Sequence, residues 1–254
     1  MIPIILQTYN RVSYTMQVIS AIQNHLLYPY YLIVIDNAST DGTVEYLQFL
    51  KKQNIIQELI LNSSNLGISE PKNQGLDIVK KLENIKYVCI TDNDIVVPFI
   101  RPACVLTKIV EMMDLHPEVG MCGIDLDRAN APANQEWWWR LRQHPSTNPT
   151  FAEISIGFWF SVIRYEHIKD FRFNSSSLYG RADESCRNFL GLEKKSKIGL
   201  LKGVYDPVKK ETISKVGTHL GWTEDLQSRP DYVNFKKAER YKAEKEWQEK
   251  NRKW

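Results

Sequence analysis

The chain has 254 residues, of which 43% are hydrophobic and 25% are charged, and it carries a formal net charge of +3. This balance is typical of a soluble globular protein and excludes a disordered chain, and the length allows one large α/β domain. No apolar run approaches the roughly 18 to 20 residues that a membrane helix needs. The N-terminus has no basic leader with a small-residue cleavage site, so a secretory signal is not expected.

Four cysteines lie far apart in the sequence, and no two of them form a C-x-x-C pair. Cys89 and Cys122 fall inside apolar runs and are expected to be small core residues. The spacing does not favour a zinc site, and it fits a reduced, cytoplasmic protein.

Short β-branched runs alternate with helical segments over the first hundred residues. Strands are predicted at 3–9, 31–36, 56–62 and 86–91, and helices at 12–26, 39–52, near 69–82 and near 100–115. This alternation indicates an α/β fold built from βαβ units, with a mostly parallel central sheet flanked by helices. Further strands are predicted at 118–126, 152–164 and 197–206, and further helices at 182–192 and 235–250.

Residues 127–151 interrupt this alternation. They are rich in Pro, Asn and Ala around Trp137, Trp138 and Trp139, which favours a long functional loop. If the three tryptophans form a strand, Trp137 and Trp139 share one face and Trp138 takes the other. Tryptophan faces stack on the apolar surfaces of sugars or bases, but packing within a lobe explains the same residues equally well.

Polar motifs follow three of the predicted strands at the point where each strand ends. They are TYNR after the first strand, DNASTDGT after the second and DND after the fourth. Ligands bind outside the carboxyl ends of the strands in an open parallel sheet. The coincidence of three motifs at this edge carries more weight than any one of them.

The motif after the second strand has a structural and a functional interpretation. Residues 39–42 are explained by a strand–turn–helix junction with good helix capping. That junction does not require Asp36 and Asn37, and a carboxylate beside an amide can hydrogen-bond the edge of a nucleobase. The sequence therefore favours a nucleotide role for these two residues.

The segment NLGISEPKNQG continues the pattern with a turn and a helix start. Asn65 and Gly67 lie in the predicted turn, and Lys72 and Asn73 lie on the helix that follows. Lys72 could offset the charge of a diphosphate, and the alternative is an exposed lysine.

Asp92, Asn93 and Asp94 interrupt the apolar run 87–98. An unpaired buried carboxylate costs several kcal/mol, so the motif is either a solvated turn or a cation site. Oxygen ligands indicate a hard divalent ion, Mn²⁺ or Mg²⁺. Magnesium usually takes one or two carboxylates together with substrate phosphates, so the motif suggests a site that a diphosphate completes.

Two later positions are candidates for the remaining chemistry. Asp183 and Glu184 open a predicted helix, where acids also stabilise the helix dipole, and the functional interpretation is a general base. His219 lies in KVGTHLGW and is a candidate metal ligand, whereas a structural histidine is the alternative.

These motifs together resemble the family 2-type glycosyltransferases of GT-A fold. The resemblance covers about residues 3–222 and rests on the order of ILQTYNR, IVIDNASTDGT, NLGISEPKNQG, ITDND, GFWFSVIR, YGRADES and THLGW. It implies a nucleotide-diphospho-sugar transferase fold. It also implies transfer of a sugar from a nucleotide-sugar donor, usually with inversion at the anomeric carbon, assisted by Mn²⁺ or Mg²⁺.

The resemblance, together with the motifs, implies roles for individual residues. The nucleotide-sugar site would comprise Thr8, Tyr9, Arg11, Asp36, Asn37, Asn65, Gly67, Lys72, Asn73, Asp92 and Asn93. The metal would be held by Asp94, with Asp92 and His219 as further candidates. The acceptor would contact Trp137, Trp138, Trp139, Gly157, Phe158 and Trp159. The catalytic base would be Asp183, with Glu184 as the runner-up.

Two departures from the family pattern affect these roles. The family often has a second acid where Asn37 stands, so recognition of the base of a UDP-linked donor would depend on an amide. The usual Glu-Asp before the helix that carries the catalytic base is replaced by Ala182-Asp183-Glu184. The catalytic base would therefore be either Asp183 or Glu184.

The domain prediction follows from the same motifs. A glycosyltransferase domain would span 1–222, with a nucleotide-binding half at 1–98 and an acceptor-binding, catalytic half at 99–222. A basic helical tail would follow at 223–254.

The tail bears on possible partners. Residues 235–254 carry eight Lys/Arg and four Glu, a net charge of +4, which leaves −1 for the rest of the chain. The tail is expected to be a solvated helix, or to contact an anionic membrane or a nucleic acid.

Three alternative functions stay open on the sequence. A sugar nucleotidyltransferase would need a glycine-rich basic N-terminal loop, which the sequence lacks. A non-catalytic nucleotide-sugar-binding module would keep the pocket without the base. A glycosyltransferase that modifies a nucleic-acid base would use the tail for phosphate contacts, whereas a saccharide or glycan acceptor needs no such tail.

Overall fold

The computed structural model describes residues 1–126, 150–153, 156–174, 182–201, 204–206, 211–213 and 217–220. For 204–206, 211–213 and His219 the description is of the backbone. The predictions for Trp137, Trp138 and Trp139 and for the tail 223–254 lie outside the described residues.

Twelve strands are described. They are β1 Ile2–Thr8, β2 Tyr30–Asp36, β3 Glu58–Leu61, β4 Tyr87–Asp92, β5 Ile95–Val96, β6 Val119–Gly123, β7 Phe151–Glu153, β8 Ser161–Arg164, β9 Lys197–Leu201, β10 Val204–Asp206, β11 Glu211–Ile213 and β12 Thr218–His219. The described helices are α1 Val12–His25, α2 Thr43–Lys52, α3 Glu70–Val79, α4 Val105–Leu115, α5 Tyr165–Ile168 and α6 Ala182–Asn188, and a π-helical turn, Phe189–Glu193, follows α6.

Eight of the strands form one sheet in the order β3-β2-β1-β4-β8-β6-β9-β7. Strands β1 to β4 run parallel, as the alternation of strands and helices predicts. Strand β8 runs antiparallel to both β4 and β6, and β7 runs antiparallel to β9, whereas β6 and β9 are parallel. The predicted parallel sheet is therefore confirmed for the first half of the chain, and the second half is mixed.

Several element boundaries differ from the prediction for local reasons. The segment 152–164 forms two strands rather than one, because the chain turns before Ser161 and Phe160 takes a left-handed φ of 54°. Helix α4 begins at Val105 rather than near residue 100, since Pro102 disfavours the helical conformation for Arg101, the residue before it.

The core lies on both faces of the sheet because successive side chains of a strand point to opposite sides. Ile4 and Leu6 of β1 pack with α1 on one face, whereas Ile5 packs with Leu76 of α3 on the other. A Cβ at Gly75 would lie 2.5 Å from Ile5 Cγ2, so glycine allows α3 to approach β1 closely. Because β1, β2 and β4 run parallel, their carboxyl ends lie at one edge of the sheet.

The four cysteines are all buried as free thiols. Cys89 and Cys122 are completely buried in the core, which confirms their predicted position. In the part of the chain that the structure describes, no helix has the length and apolar character to cross a membrane.

Arg164 is a buried cation that ties the second half of the sheet to α4. Its Nε donates to the Val119 carbonyl at 2.8 Å, and its Nη2 donates to the carbonyls of Met113 and His116. The last two carbonyls lie at the C-terminal end of α4, where a positive charge is favourable. Arg164 therefore caps the C-terminal end of α4 from the interior of the protein.

Candidate active site

The ends of β1 and β2 are joined through a buried carboxylate. Thr8 Oγ1 donates to Asp36 Oδ1 at 2.9 Å, and Ser39 donates its N–H to Asp36 Oδ2 at 2.9 Å and its hydroxyl to Oδ1. Thr8 and Asp36 are completely buried. The predicted nucleotide residue Asp36 therefore receives three hydrogen bonds within the protein and fixes the turn that leads into α2.

The turn between β1 and α1 is held in a strained conformation. Asn10 and Arg11 both have left-handed φ values, 54° and 61°, which cost energy for residues other than glycine. The neighbouring turn holds them: Asn10 N–H donates to Ser39 Oγ at 2.7 Å, and Thr40 N–H donates to Asn10 Oδ1 at 2.8 Å. Tyr9, just before this pair, is exposed at the carboxyl edge.

The strained turn presents Arg11 to the motif after β4. Arg11 Nη1 lies 3.1 Å from Asp94 Oδ2, and the two side chains are 23% and 13% exposed. An ion pair that is largely shielded from water interacts more strongly than an exposed one. Asp94 is thus neither a solvated turn residue nor a buried charge without a counter-charge.

The three residues of the DND motif have different environments. Asp92 ends β4, and its side chain is 44% exposed. Asn93 is buried, and its Nδ2 donates to the Asn10 carbonyl at 3.2 Å and to Thr15 Oγ1 at 3.1 Å. The amide therefore anchors the β1–α1 turn, while the two carboxylates flank it.

Lys72 is a buried residue, not the exposed lysine of the structural alternative. Its Nζ lies 2.8 Å from Gln7 Oε1 and 3.5 Å from Asp92 Oδ1, and the residue is 3% exposed. The same Nζ is 5.4 Å from the centre of the Phe158 ring, a cation–π distance. Lys72 therefore connects Asp92 to the loop that contains the predicted acceptor residues.

Two other residues predicted to bind the donor hold loops in place. Asn73 is buried and exchanges hydrogen bonds with the backbone of Phe173, at 3.0 Å from Nδ2 and 2.9 Å to Oδ1. Asn37 is buried and bonds Asn65 and Gly67, so that the three predicted donor residues are brought together.

The acceptor-side candidates meet near Asp183. A Cβ at Gly157 would lie 3.0 Å from Trp159 Nε1 and 3.4 Å from Asp183 Oδ2, so only glycine leaves this space open. Phe158 is instead buried and packs edge-on against Phe173, with ring centres 5.6 Å apart. The position of Gly157 thus lies beside both Trp159 Nε1 and the Asp183 carboxylate, whereas the side chain of Phe158 is buried.

Asp183 and Glu184 differ in their surroundings. Arg187 Nη1 lies 2.8 Å from Asp183 Oδ2 and also donates to the Ile156 carbonyl, while the Glu184 N–H donates to Asp183 Oδ1 at 2.9 Å. Glu184 is exposed and lines a separate cavity of about 430 Å³ beside Phe171. Arg187 was missed from the sequence, although its i, i+4 spacing from Asp183 is the signal for such a pair.

The last described segment returns to the DND motif. Strand β12 pairs antiparallel with β5, which places His219 opposite Ile95, and Leu220 N–H donates to the Asp94 carbonyl at 2.8 Å. The backbone of the predicted ligand His219 therefore lies next to the residue that follows Asp94.

The donor atoms at this edge fit a metal that is shared with a phosphate ligand. Among the described side chains, no group of three or more His, Cys, Asp or Glu residues is placed to hold a metal alone. Asp92 and Asp94 supply hard oxygen atoms on either side of one residue, and Mg²⁺ is commonly held by one or two carboxylates together with substrate phosphates.

Comparison with known proteins gives the family. Residues 4–180 match the model of glycosyl transferase family 2. An uncharacterized glycosyltransferase of Rickettsia bellii (strain RML369-C) is 30% identical over 93 residues, which are 37% of this chain and 13% of that protein. The chain thus spans only a small part of this relative.

Solved structures share the fold at low sequence identity. TarS 1-349 of S. aureus in complex with UDP has a TM-score of 0.57 and 16% identity, covering 85% of this chain and 59% of that chain. The complex of the same fragment with UDP-GlcNAc has a TM-score of 0.56 and 16% identity, covering 87% and 60%. The mannosyltransferase PcManGT of Pyrobaculum calidifontis, in complex with GDP-Man and Mn²⁺, has a TM-score of 0.57 and 18% identity, covering 78% and 56%.

These likenesses show the fold and confirm the predicted GT-A architecture. The chain spans less than two thirds of each of these structures. Since the family match covers well over half of its residues, the chain belongs to glycosyl transferase family 2.

Proposed function

We propose that the protein transfers a sugar from a UDP-linked sugar donor to a hydroxyl group of a saccharide or glycan, with inversion at the anomeric carbon. The observation that carries the proposal is the arrangement of two carboxylate sites in this fold. Asp92 and Asp94 lie at the carboxyl end of β4 beside two cations, and Asp183 lies beside Gly157. Ligands bind at this edge of such sheets.

The donor side contains two positively charged side chains that could bind a diphosphate. Arg11 and Lys72 each lie within ion-pair distance of one carboxylate of the DND motif. A divalent ion on Asp94, with Asp92 and His219 as further candidates, would act as a Lewis acid for the leaving nucleoside diphosphate. Arg11 and Lys72 would add positive charge to the same phosphate groups.

The acceptor side offers a base that is held in position. Asp183 takes the proton of the acceptor hydroxyl while the oxygen of that hydroxyl forms a bond to C1 of the sugar. The bond between C1 and the phosphate oxygen breaks, and the nucleoside diphosphate leaves with the electron pair. Attack on the face opposite to the leaving group inverts C1, and a positioned base contributes about 10²- to 10⁴-fold.

The choice of donor is supported by the structural relatives. TarS was crystallised with UDP and with UDP-GlcNAc, and PcManGT with GDP-Man and Mn²⁺. Nucleoside-diphosphate sugars are therefore the donors to test first, and the UDP-linked ones come first among them.

The test is a thermal-shift screen of nucleotide-sugars with and without Mn²⁺, followed by measurement of released nucleoside diphosphate. A ligand that binds the native state raises the melting temperature according to its affinity. We expect a UDP-sugar to stabilise the protein in the presence of Mn²⁺ and to release UDP when an acceptor saccharide is added. Stabilisation without release in any acceptor mixture would favour the non-catalytic module, and no stabilisation by any nucleotide-sugar would contradict the proposal.

A further inference from the structure

The side chain of Asn37 uses its full hydrogen-bonding capacity inside the protein. Its Nδ2 donates to Asn65 Oδ1 at 2.6 Å and to the Gly67 carbonyl at 2.9 Å. Its Oδ1 accepts from Leu66 N–H at 2.9 Å and from Asn62 Nδ2 at 3.3 Å. A primary amide has two donor hydrogens and two acceptor lone pairs, so these four bonds saturate it. The residue is 1% exposed.

These bonds belong to an uncharged network that fixes the loop 62–67. Asn62 and Gln74 exchange hydrogen bonds between their side-chain amides at 3.0 and 2.9 Å, which extends the network to α3. The Gly67 carbonyl also accepts from Gln7 Nε2 of β1 at 3.2 Å. The loop is therefore held by β1, β2 and α3 together.

The network requires an amide at position 37. A carboxylate there would place oxygen lone pairs against Asn65 Oδ1 and the Gly67 carbonyl, which are both acceptors at hydrogen-bond distance. Facing acceptors repel, and each buried polar group that loses its partner pays a desolvation cost that no hydrogen bond offsets. A carboxylate at position 37 would therefore weaken the contacts that hold the loop 62–67 in place.

We propose that Asn37 is a positioning residue of the donor site, which holds the loop 62–67 in place and does not itself recognise the nucleobase. This inference rests on the proposed function, because it concerns the nucleotide half of the same donor.

The two pyrimidine bases distinguish positioning from direct recognition. Uracil presents an N–H donor at ring position 3, whereas cytosine presents an acceptor there. A carboxylate that contacted this edge would favour uracil and repel cytosine. Substitution of a residue that only positions the loop would change the affinities for uracil and cytosine nucleotides by the same factor.

The experiment measures the Kd values of UDP, CDP and GDP with Mn²⁺ by calorimetry for the wild type, Asn37→Asp and Gln74→Ala. Gln74 bonds Asn62 and lies at the α3 end of the network. Asn24→Ala is the control, since its amide is exposed on α1 and bonds only Ser20 among the contacts described. Melting temperatures are recorded for every variant.

We expect Asn37→Asp and Gln74→Ala to weaken all three nucleotides by a similar factor, about tenfold, while Asn24→Ala leaves them unchanged. The ratio of the CDP and UDP Kd values stays within about threefold of the wild-type ratio. A change of this ratio by about tenfold or more in Asn37→Asp would show direct recognition and overturn the inference.

The remaining outcomes are also decisive. If Asn37→Asp does not fold, Gln74→Ala decides the matter, and unchanged affinities in that variant would overturn the inference. A wild-type protein that binds none of the three nucleotides contradicts the proposed function itself, which is a different result from a changed ratio.

Discussion

Arg11 and Asp94 form an ion pair of 3.1 Å although 83 residues separate them in the sequence. The contact joins the strained turn after β1 to the motif after β4. The guanidinium group of Arg11 therefore already pairs with the Asp94 carboxylate, which is proposed to hold the divalent ion. If the proposed ion binds, Arg11 and the ion would compete for Asp94 until a diphosphate offers the arginine another partner.

Replacing Arg11 by glutamine is expected to raise the affinity for Mn²⁺ alone by about tenfold, because a charge-assisted hydrogen bond no longer competes for Asp94. The same variant is expected to bind UDP more weakly in the presence of Mn²⁺. Electron paramagnetic resonance of free Mn²⁺ measures the first effect and calorimetry the second. Arg101→Gln, which removes contacts to the carbonyls of Asn24 and His25, serves as the control. Unchanged or weaker binding of Mn²⁺ by Arg11→Gln would refute the competition.

The pair Asp183→Asn and Glu184→Gln tests the choice of base. The first substitution is expected to lower kcat by about 10²- to 10⁴-fold, since Asp183 lies beside Gly157 on the proposed acceptor side and would lose its proton-accepting role. The second is expected to leave kcat nearly unchanged, because Glu184 faces a separate cavity. Release of nucleoside diphosphate is measured with acceptor present, and donor affinity should be the same in both variants. The opposite order of activities would assign the base to Glu184.

Lys72→Met is expected to weaken donor binding more than it lowers stability. The variant keeps an unbranched apolar side chain but removes the ammonium group from Gln7, Asp92 and the Phe158 ring. Asp92 is 44% exposed and can be hydrated, whereas the diphosphate loses one counter-charge and about tenfold in affinity. Calorimetry with UDP and a melting curve measure the two effects. A large loss of stability with normal UDP affinity would show that Lys72 is only structural.

Arg164→Met is expected to lower the free energy of unfolding by about 2–4 kcal/mol, because three backbone carbonyls lose a buried donor. The activity per folded molecule should be unchanged, since Arg164 lies away from the carboxyl edge. Lys86→Met is the matched control: its ion pair with Asp114 is exposed, so its removal should cost less than about 1 kcal/mol. Urea unfolding measures both variants. Equal effects would contradict the assigned role of Arg164.

The stability of the turn before α2 is expected to depend on acid through Asp41. Burial raises the pKa of this carboxyl group, but hydrogen bonds from Thr43 and the Val12 N–H outweigh it and lower the pKa below the ordinary 3.8. A lowered pKa means that the stabilisation is present above the ordinary value and is lost as the pH falls below it. The melting temperature of Asp41→Asn should therefore lie furthest below that of the wild type at neutral pH. The difference should shrink as the pH falls from about 4 to about 2, and a constant difference would contradict this role.

The sequence predicts the elements of the first half and the edge where the site lies, because period-2 and period-3.6 patterns reflect burial directly. It does not predict that β8 lies between β4 and β6, since strand order in the mixed half depends on long-range pairing. The return of β12 to β5 is hidden for the same reason.

At the site, residue type indicates possible chemistry but not the direction of the side chain. Asp92, Asp94 and Arg11 come together at the predicted edge, whereas Asn37 and Asn73 use their amides to hold neighbouring loops. Buried amides must be hydrogen-bonded, and their partners here include backbone groups and side chains of other loops, whose proximity the sequence pattern does not indicate.

The insertion of β8 next to β4 has a consequence for how the chain can be divided. A fragment that stops at residue 98 would contain the nucleotide motifs, yet it would expose the whole free side of β4 as an unpaired edge. Such edges recruit other chains and aggregate. Truncation at that point is thus not expected to give a soluble nucleotide-binding fragment.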